Sequence, residues 1–326
     1  MTRTDLLQLL ADGEFHSGQK LADDLGVSRT AVWKQLRKLK DSGLLIESGK
    51  ARGYRLPGGL ELLNEQRIRA ALQGSAKSLL RKLVLTEVTD STNAEIFRQL
   101  QAGEAASGLV CAAEQQTAGR GRLGRNWVSP FAGNIYLSLA WQFAGGAAAL
   151  EGLSLAVGVA ASTALAGLGF KGISLKWPND LLYDDAKLGG ILIEMTGDTA
   201  GSCQAVMGIG INVKMPERAA QAIEQNWTDL ERIGCAAPCS RNILLAALLN
   251  HLLPLLNEFE EQGFASWRER WMALDAYLDQ PVVVSSGDQR MSGAARGIDD
   301  SGALLLDTGS GVLAVRGGEV SLRRAP

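Results

Sequence analysis

The hydrophobic period changes twice along this chain, and no single continuous domain accommodates both changes. Up to residue 56 the apolar positions recur at helical spacing, in segments 4–11, 17–25 and 28–41, before two short strand-like pieces flank a turn at 49–52. Between about 79 and 274, strand-like runs (83–88, 109–113, 134–141, 173–177, 190–195, 204–213) are separated by helical patterns at 92–102, 150–168 and 241–263. From 280 to 324 only short strands and Gly turns remain. Helices, then a mixed arrangement without strict strand–helix alternation, then strands alone describe an α+β chain in three parts. A length of 326 residues suits two or three domains. We place the boundaries at 1–58, a connector at 59–78, then 79–276 and 277–326.

In the first part, Ser17 and Ser28 stand where N-caps belong, and Ala31, Val32, Leu36 and Leu39 share one face of the third helix. That leaves Arg29, Lys34, Gln35, Arg37 and Lys38 outside, with Arg52 in the following turn. The whole chain carries −2, but residues 1–56 hold ten Lys/Arg against seven Asp/Glu, a balance of +3. Helix, turn, second helix and basic hairpin make a winged helix-turn-helix that can lay its last helix in a DNA major groove. A basic helix in a protein–protein module is the competing reading. The joint occurrence of all three features favours DNA, with Ser28, Arg29, Lys34, Gln35, Arg37, Lys38 and Arg52 as contact candidates.

The middle part carries the chemistry. Gly119-Arg120-Gly121-Arg122-Leu123-Gly124-Arg125 contains G-x-G-x-x-G, but Asn126-Trp127-Val128-Ser129-Pro130 follows instead of an apolar helix, which argues against a dinucleotide turn. Arginines interleaved with glycines describe a mobile cationic loop able to fold over a phosphate or acyl phosphate. Asp90-Ser91-Thr92-Asn93 reads first as a helix cap. Lys176-Trp177-Pro178-Asn179-Asp180 ends one strand, and Lys187 lies just before another, beside Gly189-Gly190. A lysine there is either a surface charge or a point charge for an anion in a closed pocket. Gly208-Ile209-Gly210-Ile211-Asn212 offers close approach to the backbone.

Composition removes other classes. Cys111, Cys203, Cys235 and Cys239 stand in unrelated contexts, so no disulfide framework is expected and a reducing compartment is. With His16 and His251 as the only histidines, no protein metal site is expected. The apolar stretch 147–168 is broken by Glu151, Ser154, Ser162 and Thr163 and reads as a buried helix, not a membrane span. The last part reads as a small barrel of the SH3 type.

Taken together and in this order, Ser91-Thr92-Asn93, Gln115-Gln116 before 119–125, 176–180, 187–190 and 208–212 resemble biotin–protein ligases. With the winged helix in front and the small β-domain behind, the chain is similar to the bifunctional bacterial form that is also the biotin operon repressor. Leu123 and Asn126 depart from members that carry arginine and lysine there. The resemblance implies a central mixed-sheet domain of the biotin/lipoate ligase type. It also implies ATP-dependent formation of biotinyl-5′-adenylate, with magnesium accompanying ATP, and transfer of biotin to a lysine of a biotin carboxyl carrier protein. It assigns Ser91, Thr92, Asn93, Gln116, Arg120, Gly121, Arg122 and Lys187 to biotin and its adenylate, and Lys187, Arg120 and Asp180 to catalysis. Asp180 is left to orient Lys187, the magnesium or the incoming lysine. It implies a cytoplasmic protein, with no membrane partner, that binds operator DNA as a homodimer promoted by the adenylate. A ligase that no longer represses, or a sensor that no longer ligates, are the alternatives. Mere sensing has no use for Lys187 and the arginine loop.

Overall fold

The computed structural model describes residues 3–41, 43–198, 201–234 and 240–325. Cys235 and Cys239 lie outside the described residues.

Helices α1 (Arg3–Leu10), α2 (Gly18–Asp24) and α3 (Arg29–Asp41) and the hairpin β1 (Glu47–Gly49)–β2 (Gly53–Arg55) form the winged helix. Ser17 Oγ accepts the Lys20 N–H at 3.0 Å and Ser28 Oγ the Ala31 N–H at 3.2 Å, so both caps form. At Gly53, with φ of +100°, a Cβ would stand 2.0 Å from the His16 carbonyl oxygen. Only glycine lets the wing close onto His16, which exchanges two backbone hydrogen bonds with Tyr54. The core includes Leu6, Leu7, Leu10, Leu21, Val32, Leu36, Leu39, Ile46 and Leu56, and the central part adds the buried Phe131, with Ala132 packed against the cluster. Burying a phenylalanine contributes roughly 1.5–3 kcal/mol.

The connector holds α4 (Glu65–Ala70) and α5 (Ala76–Leu79). It is fastened by a buried ionic network. Glu114 accepts from Leu63 N at 2.5 Å and from Arg241 at 2.7 Å, while Arg241 also donates to the carbonyls of Glu61 and Asn134. Desolvating such a pair is tolerable because its remaining donors and acceptors are nearly all used.

The central part runs β3 (Lys82–Thr89), α6 (Thr92–Gln101), β4 (Leu109–Gln116), β5 (Asn134–Phe143), α7 (Leu153–Gly167), β6 (Ser174–Lys176), β7 (Asp180–Tyr183), β8 (Ala186–Gly197) and β9 (Cys203–Asn212). It continues with α8 (Glu217–Ala220), α9 (Leu230–Ile233), α10 (Arg241–Gln262) and α11 (Ala265–Met272). The sheet order is β3-β4-β5-β9-β8-β7-β6; β3 and β4 are parallel, joined through α6, and every other pair is antiparallel. The mixed sheet expected from the sequence is therefore present. Alternation sorts the two faces: Val110 and Ala112 pack with α7 and α10, and Leu109 and Cys111 with Ile96 of α6. Two stretches, Gly146–Gly167 and Arg241–Gln262, are long and apolar enough to cross a membrane by length and composition, and most of each is buried against the sheet. The short α6 covers only part of its face. The site opens beside it.

One local reading is corrected. Lys187 lies inside β8, not before it, because β7 is a separate strand folded back through Asp184-Asp185, both at positive φ (46° and 62°). Such a turn is usually written with Asn-Gly, and the Asp-Asp pair concealed it.

Strands β10 (Pro281–Ser286), β11 (Gln289–Ile298), β12 (Leu304–Asp307), β13 (Val312–Val315) and β14 (Val320–Arg324) form an antiparallel sheet in the order β13-β12-β11-β10-β14. Among the described residues no ladder joins β13 to β14, so closure into the expected barrel is not made by hydrogen bonds. The sheet docks on the central part through Trp177, whose indole donates to the Gly302 carbonyl at 3.0 Å, and through Arg268 of α11, whose Nε donates to the Ile298 carbonyl of β11 at 2.8 Å.

Candidate active site

The cavity between the central sheet and the C-terminal sheet has a volume of about 700 Å³. Its inner end lies at the start of α6. Thr92 presents both its N–H and its hydroxyl to Gln116 Oε1, at 2.8 and 3.2 Å, and Gln116 Nε2 donates to Ser129 Oγ at 3.1 Å. Ser138 Oγ sits 2.7 Å from Thr92 Oγ1 and donates to Asn93 Oδ1 at 2.6 Å. Ser91 occupies the N-cap position but makes no capping bond, and its side chain lines the cavity. The plain cap reading of this turn therefore gives way: the Ser91 side chain is turned to the cavity instead of to the helix end. Nearby, the Arg98 guanidinium holds the Asp90 carboxyl well below the usual carboxylate range.

Glycines make the floor. A Cβ on Gly208 would stand 2.5 Å from Asn93 Oδ1, and one on Gly210 2.5 Å from the Trp127 ring. The indole of Trp127 lies along β9 at Gly210 and close to Gly190 of β8, with its Nε1 buried and unpartnered.

The charged end is built on one carboxylate. Asp180 Oδ1 is 2.7 Å from Lys187 Nζ and Oδ2 is 2.7 Å from Lys176 Nζ. Burial raises the Asp180 pKa, but the two ammonium groups outweigh it and hold the carboxyl below its ordinary value. Burial pulls Lys187 below the usual lysine range against the opposing pull of Asp180. Lys187 Nζ also lies 5.6 Å from the centroid of the Trp127 ring. Two cations sharing one anion leave a positive charge to spare, and it faces the cavity.

The arginine–glycine loop covers this end. It is a folded turn: Gly121 N donates to Arg125 O at 2.7 Å and Trp127 N to Gly119 O at 2.9 Å, with Leu123 in the left-handed region. Arg120 pairs with Glu194 of β8 at 3.1 Å, and Glu194 also accepts from Asn93 at 2.7 Å. Arg122 donates to Asn179 Oδ1 at 3.0 Å.

Ser91, Thr92, Asn93, Gln116, Arg120, Gly121, Arg122, Asp180 and Lys187 thus line one cavity. Sequence reasoning gave Trp127 no place in the cavity, quoted Lys176 and Asn179 only as part of the 176–180 block, and missed Ser129, Ser138 and Glu194 as hydrogen-bonding partners of the lining residues. Their signal is pairing across strands, which one sequence does not display.

In the winged helix, Arg29, Lys34, Arg37 and Lys38 are exposed on α3, Arg52 is exposed in the wing, and Gln35 is half-buried. Ser28 serves as the cap. Trp33, not singled out from sequence, is half exposed on the same face, with the Arg37 guanidinium 5.8 Å from its ring centroid.

A spare positive charge over a glycine-floored groove, under an arginine loop, suits a site that brings two anions together. That is the task of an acyl-adenylating ligase. The chain belongs to the biotin/lipoate A/B protein ligase family, whose pattern matches residues 85–212. A helix-turn-helix domain pattern matches 2–55 and the biotin protein ligase C-terminal domain 277–323. Over 98% of its length the chain is 42% identical to the bifunctional ligase/repressor BirA of Escherichia coli, covering 97% of that protein. It is 30% identical to the Bacillus subtilis BirA, covering 98% of each. Among solved structures, the Aquifex aeolicus biotin protein ligase in complex with biotin and ATP matches with a TM-score of 0.63 and 29% identity. The match covers 75% of this chain and all of that one.

Proposed function

We propose that the chain is an ATP-dependent biotin–protein ligase and, through its winged helix, a biotin-responsive repressor working in the cytoplasm. The observation that carries the ligase reading is Asp180 shared between Lys176 and Lys187. In the first step a carboxylate oxygen of biotin attacks the α-phosphorus of ATP, and pyrophosphate leaves. Both reactants are anionic. Lys187 lowers their repulsion, and Asp180 is a positioning residue that fixes where the ammonium points. Both Asp180 oxygens are engaged by lysines, so magnesium enters as the companion of the triphosphate, as part of the substrate. In the second step the amine of a carrier lysine attacks the acyl carbon, an amide forms, AMP leaves and the amine's proton is released.

Ser91, Thr92 and Gln116 match the donors and acceptor of the ureido ring. The apolar wall of Met215, Ile223 and Trp227 suits the adenine ring. The acceptor is the lysine of a biotin carboxyl carrier domain. Adenylate binding promotes a homodimer, which places two winged helices on two operator half-sites and adds their binding energies.

The test is incubation with biotin, MgATP and a carrier domain, read by intact mass. A carrier that gains no biotinyl mass overturns the ligase reading. Anisotropy on the gene's own upstream DNA, with and without biotin and ATP at fixed salt, tests repression. Equal affinity in both conditions removes it.

A further inference from the structure

The arginine–glycine loop belongs to the central domain, yet one of its arginines, Arg122, takes most of its acceptors from another. Arg122 donates to Asn179 Oδ1 at 3.0 Å with one terminal nitrogen, and with the other to the carbonyl of Val320 at 3.0 Å and to that of Gly318. Gly318 and Val320 sit at the entry to β14, so two of the three acceptors come from the C-terminal sheet. The third is fixed as well. Asn179 Nδ2 donates to Ile191 O at 2.7 Å, which leaves Oδ1 to face the loop.

All three acceptors are neutral. A guanidinium paired with a carboxylate gives up most of its field, as Arg120 does to Glu194. One held by two carbonyls and an amide is fixed in place while its charge still faces the cavity. Such a cation holds an acyl-adenylate by its phosphate, and the fork reaches Asn179 and the two carbonyls from two separate nitrogens, which a lysine's single ammonium cannot do.

We propose that the C-terminal domain is the latch of this lid: the carbonyls of Gly318 and Val320, with Asn179, hold Arg122 over the groove and set how long the acyl-adenylate is retained. Released adenylate acylates any accessible amine. The amine nitrogen bonds to the acyl carbon, the carbon–oxygen bond to AMP breaks, and the amine's proton is lost to water. Retention therefore decides between the proper carrier and bystander proteins. The proposal rests on the ligase reading, and two readouts separate them. Pyrophosphate release reports the ligase, and the ratio of bystander albumin labelling to pyrophosphate release reports the latch.

Gly318 has φ of +142°, and a Cβ there meets nothing within 4 Å, so Gly318→Ala strains the turn without a clash. Neighbouring Gly317 has equally open space and no left-handed φ, which makes Gly317→Ala the matched control. Gly318→Ala should raise the ratio at least about threefold and speed trypsin cleavage after Arg122, and Gly317→Ala should change neither. Asn179→Ala approaches the same guanidinium from the other side and should raise the ratio too, which keeps the test open if the glycine variant misfolds. In an Arg122→Lys background, which keeps the charge and loses the fork, either substitution should add less than about 1.5-fold, because the three groups act as one unit. An unchanged ratio in both Gly318→Ala and Asn179→Ala, or effects that simply multiply with Arg122→Lys, overturns the latch. Absent pyrophosphate release in the unmutated protein overturns the ligase reading instead.

Discussion

Asp180 Oδ1 stands 2.7 Å from Lys187 Nζ, with the lysine side chain only 16% exposed and the carboxylate 9%. At that depth neither charge is tolerated alone, so the position of each is dictated by the other. Removing the cation should therefore stop chemistry more than binding. Lys187→Ala should slow pyrophosphate release about 10²–10³-fold, the usual effect of removing one preorganised electrostatic partner. A rate within about threefold of the unmutated protein contradicts the assignment.

The same pair sets the alkaline limit. On the proposed mechanism the ammonium form of Lys187 bridges the two anions, so adenylation should fall as pH climbs through its pKa. Burial places that pKa below the ordinary lysine value, with Asp180 pulling the other way. Asp180→Asn removes the opposing pull, so the alkaline limb of the adenylation profile should move to lower pH. A limb that stays in place, or moves up, shows that Lys187 is not the titrating group.

Trp33 and Arg37 should fail in different ways. Trp33 offers an apolar face, suited to a thymine methyl group, and Trp33→Ala should weaken operator binding while leaving the log–log salt slope unchanged. Arg37→Ala together with Lys38→Ala should reduce the slope by about 0.9 for each phosphate that the protein no longer neutralises. Anisotropy titrations over a salt series distinguish them. A Trp33→Ala protein that binds operator as well as the unmutated one removes the indole from the interface.

Asp275, at the junction of the central and C-terminal parts, should make stability fall with rising pH. Burial pushes its carboxyl up to about 6, and its Oδ2 is buried without a partner. The folded state therefore holds the proton more tightly than the unfolded chain. No penalty applies below the unfolded value of 3.8, it grows between there and about 6, and it is complete above that. Two pKa units correspond to about 3 kcal/mol, taken as an order of magnitude. Thermal unfolding of Asp275→Asn should exceed the unmutated protein at pH 7.5 and lose most of that advantage at pH 4. A constant difference across this range contradicts the account.

Much of this was legible in one sequence because it is written in local patterns. The 3.6-residue period of 28–41, the arginine–glycine alternation at 119–125 and the lysine before Gly189-Gly190 need no partner to be recognised. The rest lies in relations between distant positions. Nothing near Trp127 says that it will cover Gly210, and nothing near Asn179 says that its amide will be pinned by Ile191 and so turned towards Arg122. Asp180 was visible as a candidate with three open roles. The second lysine at its other oxygen, which supports the role of orienting Lys187, is not written in any local pattern.

Phe131 closes the core of the winged helix although it follows the arginine–glycine loop in the chain. The two activities are consequently not interchangeable modules that could be traded at the connector. A ligase cut free of its first 58 residues would display a bare aromatic ring a few positions from its own lid, and an isolated winged helix would carry a hole where that ring belongs. A substitution at Phe131 is therefore felt on both sides of this seam.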